Sequence, residues 1–213
     1  MKKLFLSIMI IAVSLSANAQ NEKFTKAMAA NIIKLDSAKS ADDFLSVSAS
    51  FERIGNAEKN QWLAYYYAAY TQVLYGFVKQ DATAYDNIAD KAETLLNKAD
   101  SLEKNNSEVS CIRSMIATLH LLVNPYQRYM EYGATSGQAL ADAMKQDPAN
   151  PRPYFLQGQT LKNTPEQFGG GCKSAKPVLE NAIKLYDAFK PASDLHPKWG
   201  RKPTEELLAD CNK

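Results

Sequence analysis

The 213-residue chain is poor in the side chains that usually carry chemistry: two histidines, three cysteines and two tryptophans. No C-x-x-C, H-E-x-x-H or calcium-loop pattern occurs, so neither a metal nor another cofactor is expected. Three cysteines are too few to build a fold on disulfides. No stretch alternates apolar and polar residues for long enough to argue a strand. Beyond the first residues, no apolar run approaches the roughly 20 needed to cross a bilayer. Net charge is also missing, as the processed chain makes clear.

Lys2 and Lys3 precede an apolar run, Leu4 to Val13, and a small-residue stretch, Ser14 to Ala19. Ala17-Asn18-Ala19 has the A-x-A form of a signal peptidase site, which predicts cleavage before Gln20. The run is about half the length of a membrane span, and no cysteine follows it that would favour a lipid anchor. Residues 1–19 therefore read as a signal peptide and 20–213 as one exported domain, soluble in the periplasm or secreted. Removing the leader takes two lysines and leaves 23 basic against 23 acidic residues. Nucleic-acid binders carry a basic excess that neutralises phosphates, so nucleic acid and anionic membranes are disfavoured as partners. The remaining 194 residues suit a single core of good size.

In an oxidising compartment one cysteine pair can bridge. Cys172 with Cys211 is the favoured pair, since both flank the C-terminal helices, while Cys111 sits in an apolar helical run as a buried thiol.

Hydrophobic spacing is helical almost throughout. Phe24, Met28, Ile32 and Leu35 recur at three- and four-residue steps. Ser40-Ala41-Asp42-Asp43 offers an N-cap with an acid three residues later, opening a helix to about Ile54, with Gly55-Asn56 as its end. Further helices are expected at about 60–78, 82–102 and 109–123, the last stopped by Pro125. A long connection, "PYQRYMEYGATSG", then precedes helices at about 138–145, 153–161, 174–189 and 203–211. The fold class is all-α.

Three segments align internally, with a leucine three residues before an alanine: Leu96 and Ala99, Leu140 and Ala143, Leu179 and Ala182. Such small residues let helices approach closely. These positions resemble the tetratricopeptide repeat. The clearest copy runs from Pro151 to Leu185, with Tyr154, Gly158 and Leu161 matching the first helix and Ala175, Leu179 and Ala182 the second. Pro148 fits the proline closing the preceding repeat, and an earlier copy pairs Trp62 and Tyr65 with Ala92, Leu96 and Ala99. The copies are 44 and 39 residues apart, against a regular period of 34, so they are divergent. With "FERIGNAEKNQWLAYYYAAY", "NPRPYFLQGQ", "TPEQFGGGCKSAKPVLENAI" and "HPKWGRKPTEELL", the chain resembles exported tetratricopeptide-like proteins of Bacteroidetes-type bacteria. The resemblance implies an α-α superhelix of stacked antiparallel hairpins and brings no activity with it.

"TPEQFGGGCKS" looks at first like a phosphate loop, but Cys172 separates Gly171 from Lys173, the earlier glycine is absent, and a helix precedes it rather than a strand. It reads as a corner in which glycines adopt positive φ and Phe168 plugs the hairpin. Capture of an anion at the following helix start is the lesser alternative. His120, in "ATLHLLV", reads as a satisfied, partly buried histidine. Cys111 lies nine residues earlier, on the opposite helix face at 100° per residue, so the two form no nucleophile–base pair. Asp42-Asp43 and Glu205-Glu206 are better read as first-turn helix acids than as catalytic carboxylates.

Trp62, Tyr65, Tyr66, Tyr67, Tyr70 and Tyr75 are too widely spread around one helix to face a single core. Some would be core, packing against the N-terminal helix pair; others would line a concave surface. The repeat resemblance implies groove positions at Asn60, Tyr67 and Tyr70 in the early copy and at Arg152, Gln159 and Lys162 in the last. The sequence thus points to a non-catalytic binding or scaffold module for a peptide or protein partner. A cell-envelope hydrolase and a structural part of an envelope assembly are the alternatives.

Overall fold

Side-chain caps fix three of the helix starts among the described residues. In a computed structural model describing residues 22–213, the first helix, α1, covers 22–37. The leader and its cleavage site lie outside the described residues. Ser40 caps α2 (Ala41–Glu58) through its hydroxyl, which accepts from the Asp43 N–H, and the Asp43 carboxylate accepts from the Ser40 N–H in return. This reciprocal pairing satisfies two donors that a helix start otherwise leaves open. α3 (Trp62–Lys79) and α4 (Tyr85–Leu102) follow, and Asn106 caps α5 (Ser107–Val123) from its side chain. Beyond a short α6 (Pro125–Arg128) and a π-helical turn (Tyr129–Gly133) come α7 (Ala134–Gln146), α8 (Arg152–Asn163), α9 (Cys172–Ala188) and α10 (Arg201–Asp210). No strand occurs among the described residues. The chain is all-α, as its periodicity predicts.

Packing runs in chain order: α2 on α3, α3 on α4, α4 on α5, α5 on α7, α7 on α8, α8 on α9 and α9 on α10. One apolar cluster continues from Phe24 and Met28 through Leu95, Leu96, Ile112 and Leu119 to Ala182 and Tyr186. Ala99, Ala143 and Ala182, the small residues of the aligned segments, are fully buried.

Several expected boundaries shift. Gly55 does not end α2 but lies inside it, where a Cβ would meet the Tyr65 ring at 2.8 Å, so the glycine makes room for the tyrosine. The expected connection 125–137 is helical: Asn124 caps a new start at Pro125, and the π turn carries the chain into α7. It leaves Tyr126 and Met130 in solvent. Glu205-Glu206 fall in the second turn of α10 rather than the first, because that helix starts at Arg201.

The glycine corner is as read, except for its plug. Gly169 and Gly171 have φ of 83° and 82°, and a Cβ on Gly170 would strike the Thr164 carbonyl oxygen at 2.0 Å. Phe168, however, is 70% exposed and plugs nothing. The Gly171 N–H is already engaged by the carbonyls of Leu161 and Thr164.

Candidate functional site

The non-helical segment 189–200, between α9 and α10, lies as a strap across α3 and α8. Four buried side chains hold it. Tyr67 donates to the Leu195 carbonyl at 2.9 Å and Tyr186 to the Trp199 carbonyl at 3.2 Å, while the Trp199 indole N–H donates to the Tyr66 oxygen at 2.8 Å. Arg152 donates to the Pro197 carbonyl, and its guanidinium lies 4.6 Å from the Phe189 ring centroid and 5.4 Å from that of Trp199.

A fully buried guanidinium needs a counter-charge, and α5 supplies Glu108. Arg152 Nη1 donates to Glu108 Oε1 at 2.8 Å and to Asn150 Oδ1 at 3.2 Å. Asn150 donates to Glu108 at 2.9 Å and to Ser107 Oγ at 3.0 Å, and the Tyr66 hydroxyl is 3.4 Å from Glu108 Oε2. Burial pushes the Glu108 carboxyl above the ordinary range, with Arg152 and the bonds from Tyr66 and Asn150 pulling back. Burial likewise raises the phenols of Tyr66, Tyr67 and Tyr70. They stay protonated at neutral pH, which removes them as bases.

Trp199 also builds a wall. Its ring stacks on Tyr70 at 4.9 Å between centroids and 16° between planes, and it meets Phe155 edge-on. Beside this stack opens a cleft of about 560 Å³, within the range of small-molecule sites. Its helical side is uncharged: Tyr70, Leu74 and Phe77 from α3, Met115 from α5, and Phe155, Leu156 and Gln159 from α8. The opposite side is the end of the strap and the start of α10, with Lys198, Arg201, Lys202 and Glu205. Gly200 turns the chain between them at φ 105°, and a Cβ there would strike the Tyr186 hydroxyl at 1.9 Å. α10 itself is thinly buried, with only Thr204 enclosed, but the Cys172–Cys211 disulfide ties its end to the start of α9. The expected bridge is therefore present. Cys111 is the buried free thiol, its pKa raised by that burial.

Of the groove residues drawn from the repeat resemblance, the fold brings Tyr70 and Gln159 together in the cleft. Tyr67 lies beneath the strap, and Arg152 is wholly internal. Lys162 pairs with Asp210 at 3.4 Å, and Asn60 sits exposed in the α2–α3 turn. The tyrosines do not divide between core and groove as their angular spread suggests. Tyr65, Tyr66, Tyr67 and Tyr70 are all buried, because α3 is enclosed by α2, α4, α5 and the strap. Trp199 and its flanking cations were not singled out in the sequence, although three basic residues within five positions around Trp-Gly in "HPKWGRKP" are a readable signal.

His120 Nδ1 sits 2.7 Å from Asp86 Oδ1, and Arg128 grips the same carboxylate at 2.6 and 2.9 Å. Hydrogen bonds from Arg128 and then His120 hold the Asp86 pKa down to about 2. With Tyr132 stacked on His120, the cluster ties the π turn to α4 and α5. Among the described residues no group of three or more His, Cys, Asp or Glu could hold a metal ion. In the cleft, the Tyr70 hydroxyl has no hydrogen-bond partner among the described residues, and the Met115 thioether lines the same apolar wall.

No protein-family model and no curated protein matches the chain. Among solved structures it is similar to the HusA haemophore from Porphyromonas gingivalis, at 39% sequence identity and a TM-score of 0.80, over 88% of this chain and 92% of that one.

Proposed function

The chain belongs to the family of the HusA haemophore, and from that premise we propose that it is an exported, non-catalytic carrier of haem, held in the cleft between α3, α5, α8 and the strap. The observation that carries this reading is the cleft itself. A flat macrocycle is mostly apolar surface, and it gains most from a slot walled by aromatic and aliphatic side chains. The Trp199–Tyr70 stack, Phe77, Phe155, Leu74 and Met115 supply such walls. The iron belongs to the cargo; this chain's part is to bind, orient and shield the ring. Haem replaces the extended peptide expected from the tyrosines, since the strap covers Tyr67 and leaves only Tyr70 of the two expected groove tyrosines at the cleft.

The helix pairs are read as divergent tetratricopeptide-type hairpins within a single unit, 20–213. Close packing at Gly158 supports this, since a Cβ there would meet Leu179 at 2.5 Å. Cleavage of the leader and export fit the disulfide, which persists outside reducing compartments.

The test is a titration of the processed chain with ferric haem, followed in the Soret band, beside Phe77→Glu. Phe77 is only partly buried, so the variant should keep its fold. The expected result is saturable one-to-one binding by the wild type and at least roughly tenfold weaker binding by the variant, as burying one unpaired charge demands. A wild type that leaves the haem spectrum unchanged, or a variant that binds equally well, overturns the proposal.

A further inference from the structure

We infer that Lys198 and Lys202 are specificity-determining residues of the cleft, which select a ligand carrying two carboxylates on one edge of its ring; this rests on the haem reading above. The two sides of the cleft differ in kind. The residues from α3, α5 and α8 carry no charge, whereas three cations, Lys198, Arg201 and Lys202, stand within five positions on the strap side. A ligand apolar on its faces and acidic along one edge fits that division in one orientation only, acidic edge toward residues 198–202.

The three cations are not equivalent. Arg201 is held twice, by Asp187 at 2.7 Å and by Glu205 at 2.9 Å, so it is a fixed post that also cancels the charge of Glu205 at the cleft. Lys198 and Lys202 have looser partners four residues away along the chain: Asp194 at 3.4 Å and Glu206 at 3.9 Å. Both pairs are largely solvent-exposed. Exposed pairs of this sort contribute little, and each lysine has a long flexible stem, so both can leave their acids for an incoming carboxylate at small cost. The backbone that carries them is fixed by buried bonds, with Pro197 held by Arg152 and the Trp199 carbonyl by Tyr186. The clamp is two mobile ammonium groups on a rigid mount.

The experiment compares ferric haem with its dimethyl ester, presented in the same co-solvent, to the wild type and to Lys198→Ala/Lys202→Ala. Both lysines are exposed, and circular dichroism checks that the variant stays folded. The expected result is that the wild type binds the diacid about tenfold more tightly than the ester, as two partly exposed charge pairs would give. In the variant that gap closes, with ester affinity unchanged. A wild type that binds diacid and ester alike overturns the clamp and leaves the haem reading standing. So does a variant that keeps the gap, or one that loses both ligands equally. A wild type that binds neither ends both.

Discussion

Replacing Arg152 by methionine isolates what the buried ion pair does for the strap. Methionine keeps much of the side-chain length but removes the charge facing Glu108, whose side chain is 12% exposed against 0% for Arg152. Breaking one side of a buried pair costs about 3–5 kcal/mol, because the remaining charge has lost its compensation. That is a large part of a typical total of about 5–15 kcal/mol. The bond to the Pro197 carbonyl and the stacking on Phe189 and Trp199 go as well. Arg152→Met should therefore destabilise strongly in urea unfolding and weaken haem binding through a displaced Trp199. Arg152→Met/Glu108→Gln should recover at least half of the lost stability, since the uncharged amide replacing the carboxylate can still bond to Asn150 and Tyr66. The cost should also depend on pH. Folding already pushes the Glu108 carboxyl above its ordinary 4.5, and loss of Arg152 pushes it further. An acid with a raised folded-state pKa destabilises most where it would be ionised in the unfolded chain, so the penalty is full at neutral pH and shrinks as pH falls toward 4.5. A double variant no more stable than the single one, or a penalty flat between neutral and mildly acid pH, would refute the assignment of the cost to an uncompensated Glu108.

Two further outcomes follow from the same geometry. Removing the disulfide with Cys172→Ser/Cys211→Ser frees a loop of sequence separation 39, which by loop-closure entropy is about 4 kcal/mol; a drop in Tm of roughly 8–16 °C is expected. Haem affinity should fall with it because α10 loses its tether, while far-ultraviolet circular dichroism stays helical; an unchanged Tm would refute this. Asp86→Asn should destabilise by about 1 kcal/mol, the nominal effect of its depressed pKa being reduced by a side chain 42% exposed. A carboxyl with a lowered folded pKa stabilises above its unfolded value of 3.8 and loses that contribution as pH falls through about 2. The gap between wild type and variant in denaturant melts should thus be full at about pH 6 and narrow on acidification, and a gap that widens would refute the sign.

What could be read from the sequence was whatever depends on residues near one another along the chain. The α2 cap, the glycine corner, the apolar stripes and the small alanines all act within a turn or two, and the fold places them as their local chemistry requires. The Cys172–Cys211 bridge was legible because two helix ends bracketed it. What was hidden depends on contacts between residues far apart in the chain. Tyr67 reaches a carbonyl 128 positions away, Trp199 reaches Tyr66 across 133, and Arg152 meets Glu108 across 44. Periodicity describes one helix against one neighbour, so it cannot tell that the part of α3 carrying Tyr65 to Tyr70 meets several neighbours and can bury four tyrosines at once. The repeat resemblance erred for a related reason at Arg152. In a regular repeat that position looks into an open groove, but here the segment after α9 folds back over it and carries Trp199 into the space. The strap thereby covers Tyr66 and Tyr67 on α3 and leaves a short walled cleft beside Trp199.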